Sequence, residues 1–212
     1  MRAAIVAVCS ALIGTGVWLG CRPPSADVLP RRLPELGPAC GTRCGTARWA
    51  VKTLSDVDRA RVNLTPVDAT VEELGRLPRP ARVPAERRVG PVELTTYRVT
   101  GCLGILDREP ENDGDIHVII GGLENPRLSM VTEIPNPSCG GVCQSGLGPY
   151  YARARATLDS IIAAGVVSPA CNNDVPLVTI IGVGFFDRNH GQRGAAPNFI
   201  ELHPVLALTL SR

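Results

Sequence analysis

Beyond Gly90 the chain switches between two apolar rhythms, and their order restricts the fold more than any other feature. Three period-2 runs cover residues 92–106, 115–123 and 128–134. A period-3.6 run follows at 149–164, and two further strand-like runs cover 175–186 and 199–210. In the second run Ile116, Val118 and Ile120 point one way and Asp115, His117 and Ile119 the other, because strand side chains alternate. In the third, Met130, Thr132 and Ile134 oppose Val131 and Glu133. The helical run carries a stripe of Tyr151, Ala154, Leu158, Ile161 and Ile162, which leaves Arg153, Arg155 and Asp159 for water. Gly101 and Gly104 permit the sharp coiling of the first strand that a small barrel needs.

Five strands with one helix between the third and fourth form the element order of a five-stranded Greek-key barrel, the OB-fold, read β-β-β-α-β-β. A small open β-sandwich is the runner-up, and the single helix in that position decides against it. The core is built mainly from Val, Ile, Leu and Ala, since aromatics are only 4% of the chain. A net charge of +2 lacks the basic excess that draws proteins to nucleic acid, and three tyrosines are too few for a base-stacking platform. Gly182-Val-Gly184 precedes no helix, so there is no dinucleotide fingerprint. The fold class alone names no ligand.

The N-terminus reads as an export signal. Arg2 precedes an apolar run over residues 1–20, too short and too broken by Gly14 and Gly16 for a permanent span. Cys21 directly after Leu19 and Gly20 resembles a bacterial lipoprotein signal, which implies a lipid on Cys21; ordinary cleavage nearby is the alternative. Residues 21–46 form a Pro-rich linker that includes Cys40 and Cys44. An exported chain places its cysteines in disulfides. Cys40, Cys44, Cys102, Cys139, Cys143 and Cys171 then allow fifteen pairings. Short loops favour Cys40–Cys44, a Cys139–Cys171 bond would clamp the helix, and Cys102–Cys143 remains. Four thiolates from CGTRC and CGGVC also have zinc-ligand spacing, the weaker reading in an exported protein.

Residues 47–91 are expected as an extended connector laid over a barrel edge or end, and residues 92–212 as the barrel domain. Asp68 or Thr70 caps one short helix in the connector, with Val71, Leu74 and Leu77 on one face.

The three histidines all stand beside acids: His117 in DGDIH, His190 in DRNHG and His203 in ELHP. Glu201 and His203 share a strand face, as do Asp115 and His117. Asp115, His117, Asp187, His190, Asn198, Glu201 and His203 are therefore the candidate polar site. Imidazoles with carboxylates suit a divalent ion or acid–base work, and Arg188 or Arg193 would offer a cation to a phosphate. The opposing reading is structural: Asp187 and Asn198 bracing a loop, Glu201 and His203 as a cross-strand pair. A divalent metal is the only cofactor suggested.

From Trp49 onward the chain resembles a family of uncharacterised exported bacterial proteins. The resemblance rests on VKTLSD with VNLTP, DGDIHVII, the Glu133-Pro135-Pro137-Cys139 pattern and GVGFFDRNHGQRGAAPNFIELHPVL. It implies a shared role for the last loop and brings no catalytic residues. DGD also resembles the acidic turn of staphylococcal nuclease-like domains, whose further catalytic Arg and Glu have no counterpart here. The expectation is an exported or lipid-anchored envelope protein serving as a binding module for an envelope or extracellular partner, with a membrane contact only through Cys21. The alternatives are a metal-dependent phosphodiester hydrolase and a purely structural domain.

Overall fold

A computed structural model describes residues 29–108, 113–164 and 176–211, and the side chains of 105–108 are left aside. The barrel is β2 (Thr95–Arg108), β3 (Ile116–Gly121), β4 (Ser129–Ile134), β5 (Leu177–Phe186) and β6 (Ile200–Ser211). Their spatial order is β2-β3-β4-β6-β5, and β5 pairs back onto β2 to close the ring. All contacts are antiparallel except β4 with β6, which meet in parallel at Thr132 and Leu202. This is the OB-type closure expected from the element order.

Closure depends on β2 serving two partners. Its first half, Thr96 to Cys102, pairs with β5; from Cys102 onward it pairs with β3. The strand must bend where it changes partner. Gly101 sits at the change, and a methyl group there would lie 2.7 Å from the Gly121 carbonyl oxygen, so only glycine lets the two strands approach this closely. Inside the ring, Val118, Ile120, Met130, Ile134, Ile180, Ile200 and Leu202 are all under 3% exposed and form one core. Helix α4 (Gly148–Ala163) packs on β6 and buries Tyr151, Ala154, Leu158 and Ile161. Arg155, expected in water, instead donates to the carbonyls of Pro135, Ile134 and Gly114. Its long side chain spans the gap between α4 and the ends of β3 and β4, which a shorter residue could not do.

The connector is more ordered than its composition suggests. It contains the single-turn helix α1 (Trp49–Lys52), strand β1 (Asn63–Ala69) and helix α2 (Val71–Gly75). β1 adds a sixth strand in parallel to the first half of β2. The side chain of Thr70 caps α2 by accepting from the Glu73 N–H, and Glu73 returns a bond to the Thr70 N–H. Buried arginines fasten the rest. Arg48 holds both oxygens of Glu93 at 2.6 and 2.8 Å, and Arg88 holds Asp56 at 2.7 Å. A further one-turn helix, α3 (Val142–Ser145), interrupts the loop before α4. No helix among the described residues is long and apolar enough to cross a membrane.

The disulfide expectations are corrected. Cys40 bonds Cys143, and Cys44 bonds Cys139. The CGTRC and CGGVC segments run past each other in opposite directions, with the Gly140 N–H donating to the Thr42 carbonyl between the two bonds. An extended CxxxC segment holds its ends roughly 13 Å apart, beyond the ~7 Å limit of a disulfide, so pairing within CGTRC is excluded. The same bonds rule out a four-thiolate zinc site. Cys102 is also disulfide-bonded, so Cys102–Cys143 is excluded; Cys171 lies outside the described residues.

Candidate functional site

Strand register gathers the ionisable residues on the outer face of the barrel. His117 on β3 stands opposite Glu133 on β4. Glu201 on β6 stands opposite Phe185 on β5. The single β4–β6 pairing, Thr132 to Leu202, draws Glu133 beside His203. Asp115, two residues before His117, shares its direction. Alternate residues of the same strands fill the barrel interior, so this set must point outward.

Outward does not mean exposed. Asp115, Glu133 and His203 have no accessible surface, Glu201 has 1% and His117 4%. Two elements cover them. The connector crosses at α1: Arg48 lies 4.7 Å above the Phe185 ring, and Lys52 projects its ammonium to 3.5 Å from Glu133 Oε2 and 3.9 Å from Asp113 Oδ2. The loop between β5 and β6 crosses at Gly194, where a methyl group would come within 2.6 Å of Ile119 Cγ2. The outer face of the second and third barrel strands, together with the loop between the fourth and fifth, is where OB-folds commonly take their ligands.

Glu133 is the centre. His203 Nδ1 lies 2.9 Å from its Oε2, and His117 Nε2 lies 3.0 Å from its Oε1. The other ring nitrogen of His203 lies 3.2 Å from Asp115 Oδ2. These contacts are close but misaligned. Neither nitrogen of His203, nor His117 Nε2, nor Asp115 Oδ2, nor either Glu133 oxygen makes a hydrogen bond of acceptable angle among the described residues. Buried polar atoms are normally paired.

The electrostatics follow from burial and from facing charges. Burial opposes charge on Glu133, yet His203, Lys52 and His117 prevail and hold its carboxyl well below the usual range. Burial likewise opposes His203, but Glu133 and Asp115 push its pKa up to about 9. His117 is raised too, with Glu133 outweighing the cost of burial. Glu201 goes the other way: burial, then the nearby carboxylates Glu133 and Asp187, hold its pKa well above the usual range. Burial also raises Asp115, although His203 opposes this.

The remaining candidates divide. Asp187 is buried and accepts from His190 Nε2 at 2.8 Å and Gln192 Nε2 at 3.2 Å. Gln192 also reaches Glu201 Oε1 at 3.4 Å, so Asp187 and His190 join the cluster at its rim. His190 lines an outer cavity of about 400 Å³ with Arg188 and Asn189, and a smaller cavity of about 110 Å³ touches Lys52 and Asp113; both include Thr46 and Ala47. Arg193 is exposed. Asn198 does not belong to the site. Its amide donates to the Leu74 and Leu77 carbonyls at 2.8 and 2.9 Å, clamping the loop to α2. Glu201 and His203 are not a cross-strand pair either; they lie on one strand and meet partners from β4 and the loop. Lys52, Asp113, Glu133 and Gln192 were missing from the sequence-derived set. The outward parity of Glu133 against His117 was readable, whereas nothing near Lys52 in sequence links it to the barrel.

Asp115, Glu133 and His203 each place one donor atom within 4.8 Å of the other two, and they are the group among the described residues able to hold a metal ion. Compared with protein-family models, curated proteins and solved structures, the chain matches none.

Proposed function

We propose that this chain is an exported OB-type binding module that takes a small charged ligand in the buried ionic pit on its outer face. The observation that carries this reading is the concentration of fully buried acids and histidines around Glu133. Folding does not need them, since well-packed apolar residues stabilise such a position as well or better. Perturbed, desolvated ionisable groups gather where a protein does chemistry or binding. Export is supported by the signal-like first twenty residues and by the two disulfides. Lipidation at Cys21 is part of the proposal, and Cys21→Ser should move the protein from membrane to soluble fractions.

The convergence of His117, His203 and Glu133 favours a second reading, a metal-dependent phosphodiester hydrolase. The closure of the pit counts against it, because turnover requires a substrate to reach the reacting atoms.

The test is the thermal stability of Glu201→Gln. Glu201 is buried beside the carboxylates Glu133 and Asp187, which disfavours its charged form, so an amide of the same shape should raise Tm by about 2–4 °C for each kcal/mol relieved. A residue kept for ligand use is expected to cost stability in this way. A fall in Tm would show that the cluster serves the fold. Hydrolysis of bis-p-nitrophenyl phosphate by the wild type would move the reading to the enzyme.

A further inference from the structure

We infer that the ligand of the pit is a divalent transition-metal ion, held by Asp115, Glu133 and one ring nitrogen of His203. This rests on the binding-module reading above and adds the ligand class.

The geometry argues for a cation among the donors. Asp115, Glu133 and His203 each offer one ligand atom, and the three atoms lie within 4.8 Å of one another; His203 Nδ1 is 2.9 Å from Glu133 Oε2, and its other ring nitrogen is 3.2 Å from Asp115 Oδ2. Metal–ligand bonds of about 2.0–2.2 Å place neighbouring donor atoms roughly 3–3.5 Å apart. A network of protonated imidazoles and carboxylates would instead align N–H with oxygen. Asp115 Oδ2, both Glu133 oxygens and both His203 nitrogens are fully buried and lack a partner of good hydrogen-bond geometry among the described residues.

The donor types select the ion. Two carboxylates balance a charge of +2, and the ion would take the place of the proton on the His203 nitrogen that binds it. Mixed nitrogen and oxygen donors suit zinc, manganese or iron. Calcium takes six to eight oxygens, more than this set supplies. The surroundings complete the site. His117 Nε2 lies 3.0 Å from Glu133 Oε1 and Lys52 Nζ 3.5 Å from Glu133 Oε2; such partners orient ligands. Phe185 packs its ring 5.4 Å from the His203 ring and excludes water on that side. A cavity of about 110 Å³ opens at Lys52 and Asp113, and Lys52 in turn lies 3.5 Å from Glu133 Oε2.

The experiment uses the full chain, exported with its disulfides formed and purified without chelator. Native mass spectrometry and elemental analysis should show one zinc or manganese ion per chain. Zn²⁺ or Mn²⁺ added in excess should raise Tm by several degrees, with Ca²⁺ giving no shift. X-ray absorption at the zinc edge should show nitrogen and oxygen donors, including one imidazole, and no sulfur. Asp115→Asn and His203→Gln should abolish stoichiometric binding, and Asp187→Asn should retain it. If His203→Gln does not fold, Asp115→Asn and the absorption spectrum decide. No ion at one equivalent, sulfur in the coordination shell, or unchanged binding by Asp115→Asn overturns the inference. If the ion is absent but Glu201→Gln still stabilises, the pit remains a binding site for another ligand and only the metal is lost. If Glu201→Gln destabilises while the ion binds, the module reading fails and the metal stands as structural.

Discussion

Glu133 and His117 face each other across the β3–β4 pairing, with Nε2 of one 3.0 Å from Oε1 of the other, and both are buried under a connector that is remote in sequence. Glu133 is the carboxylate that His117, His203 and Lys52 all approach. Its removal takes away the anion that these three buried groups share. Glu133→Gln should therefore cost about 3–5 kcal/mol, and Lys52→Met in the same chain should return part of it. Chemical denaturation of the two variants measures this; a loss below about 1 kcal/mol would place Glu133 outside the centre of the network.

Gly194 holds φ near +79° and leaves no room for a side chain above Ile119. Gly194→Val should lift the loop between β5 and β6 without undoing the barrel. Hydrogen exchange at residues 187–198 should speed up markedly, while amides of β2 and β5 keep their protection. Unchanged exchange in the loop would mean that it does not rest on β3.

The disulfide pairing predicts which thiol is released. Cys40→Ser should free Cys143, and Cys44→Ser should free Cys139, as read by alkylation and peptide mass mapping. Loss of one native bond typically costs about 2–5 kcal/mol, so full reduction should lower Tm on the order of 10 °C. Release of Cys44 by Cys40→Ser would restore the local pairing.

Glu72 ties α2 to the turn after β3 by accepting from the backbone N–H groups of Glu124 and Asn125 at 3.1 and 2.9 Å. Burial favours its neutral form, but these donors prevail and hold its pKa below the ordinary 4.5. Because the folded value is the lower one, its stabilisation is present above 4.5 and is lost as pH falls through the folded pKa. Glu72→Ala should cost about 2 kcal/mol at neutral pH and progressively less in acid. A pH-independent difference would remove the charge from the explanation.

What could be read along the chain was periodic and local. The alternation of Ile116, Val118 and Ile120 with Asp115 and His117, and the stripe from Tyr151 to Ile162, specify strand and helix because each pattern repeats within a few residues. The order of those elements then limits closure to few topologies, so the barrel was legible before any coordinates. The short helix was legible for the same reason, with Asp68 or Thr70 as its cap; the structure has Thr70, paired with Glu73 one turn on.

The pit and the staples needed the third dimension. Glu133 meets His203 only because β4 and β6 touch at one parallel pair, a contact between strands separated by two helices and another strand. Lys52 reaches Glu133 from a connector 81 residues earlier in the chain, and Cys40 reaches Cys143 over 103. Asn198, polar and in the right loop, turned to the carbonyls of α2 instead. Sequence determines which way a side chain leaves its strand; which surface then closes over it, and so whether an outward acid meets water or a buried histidine, is decided only when distant segments pack.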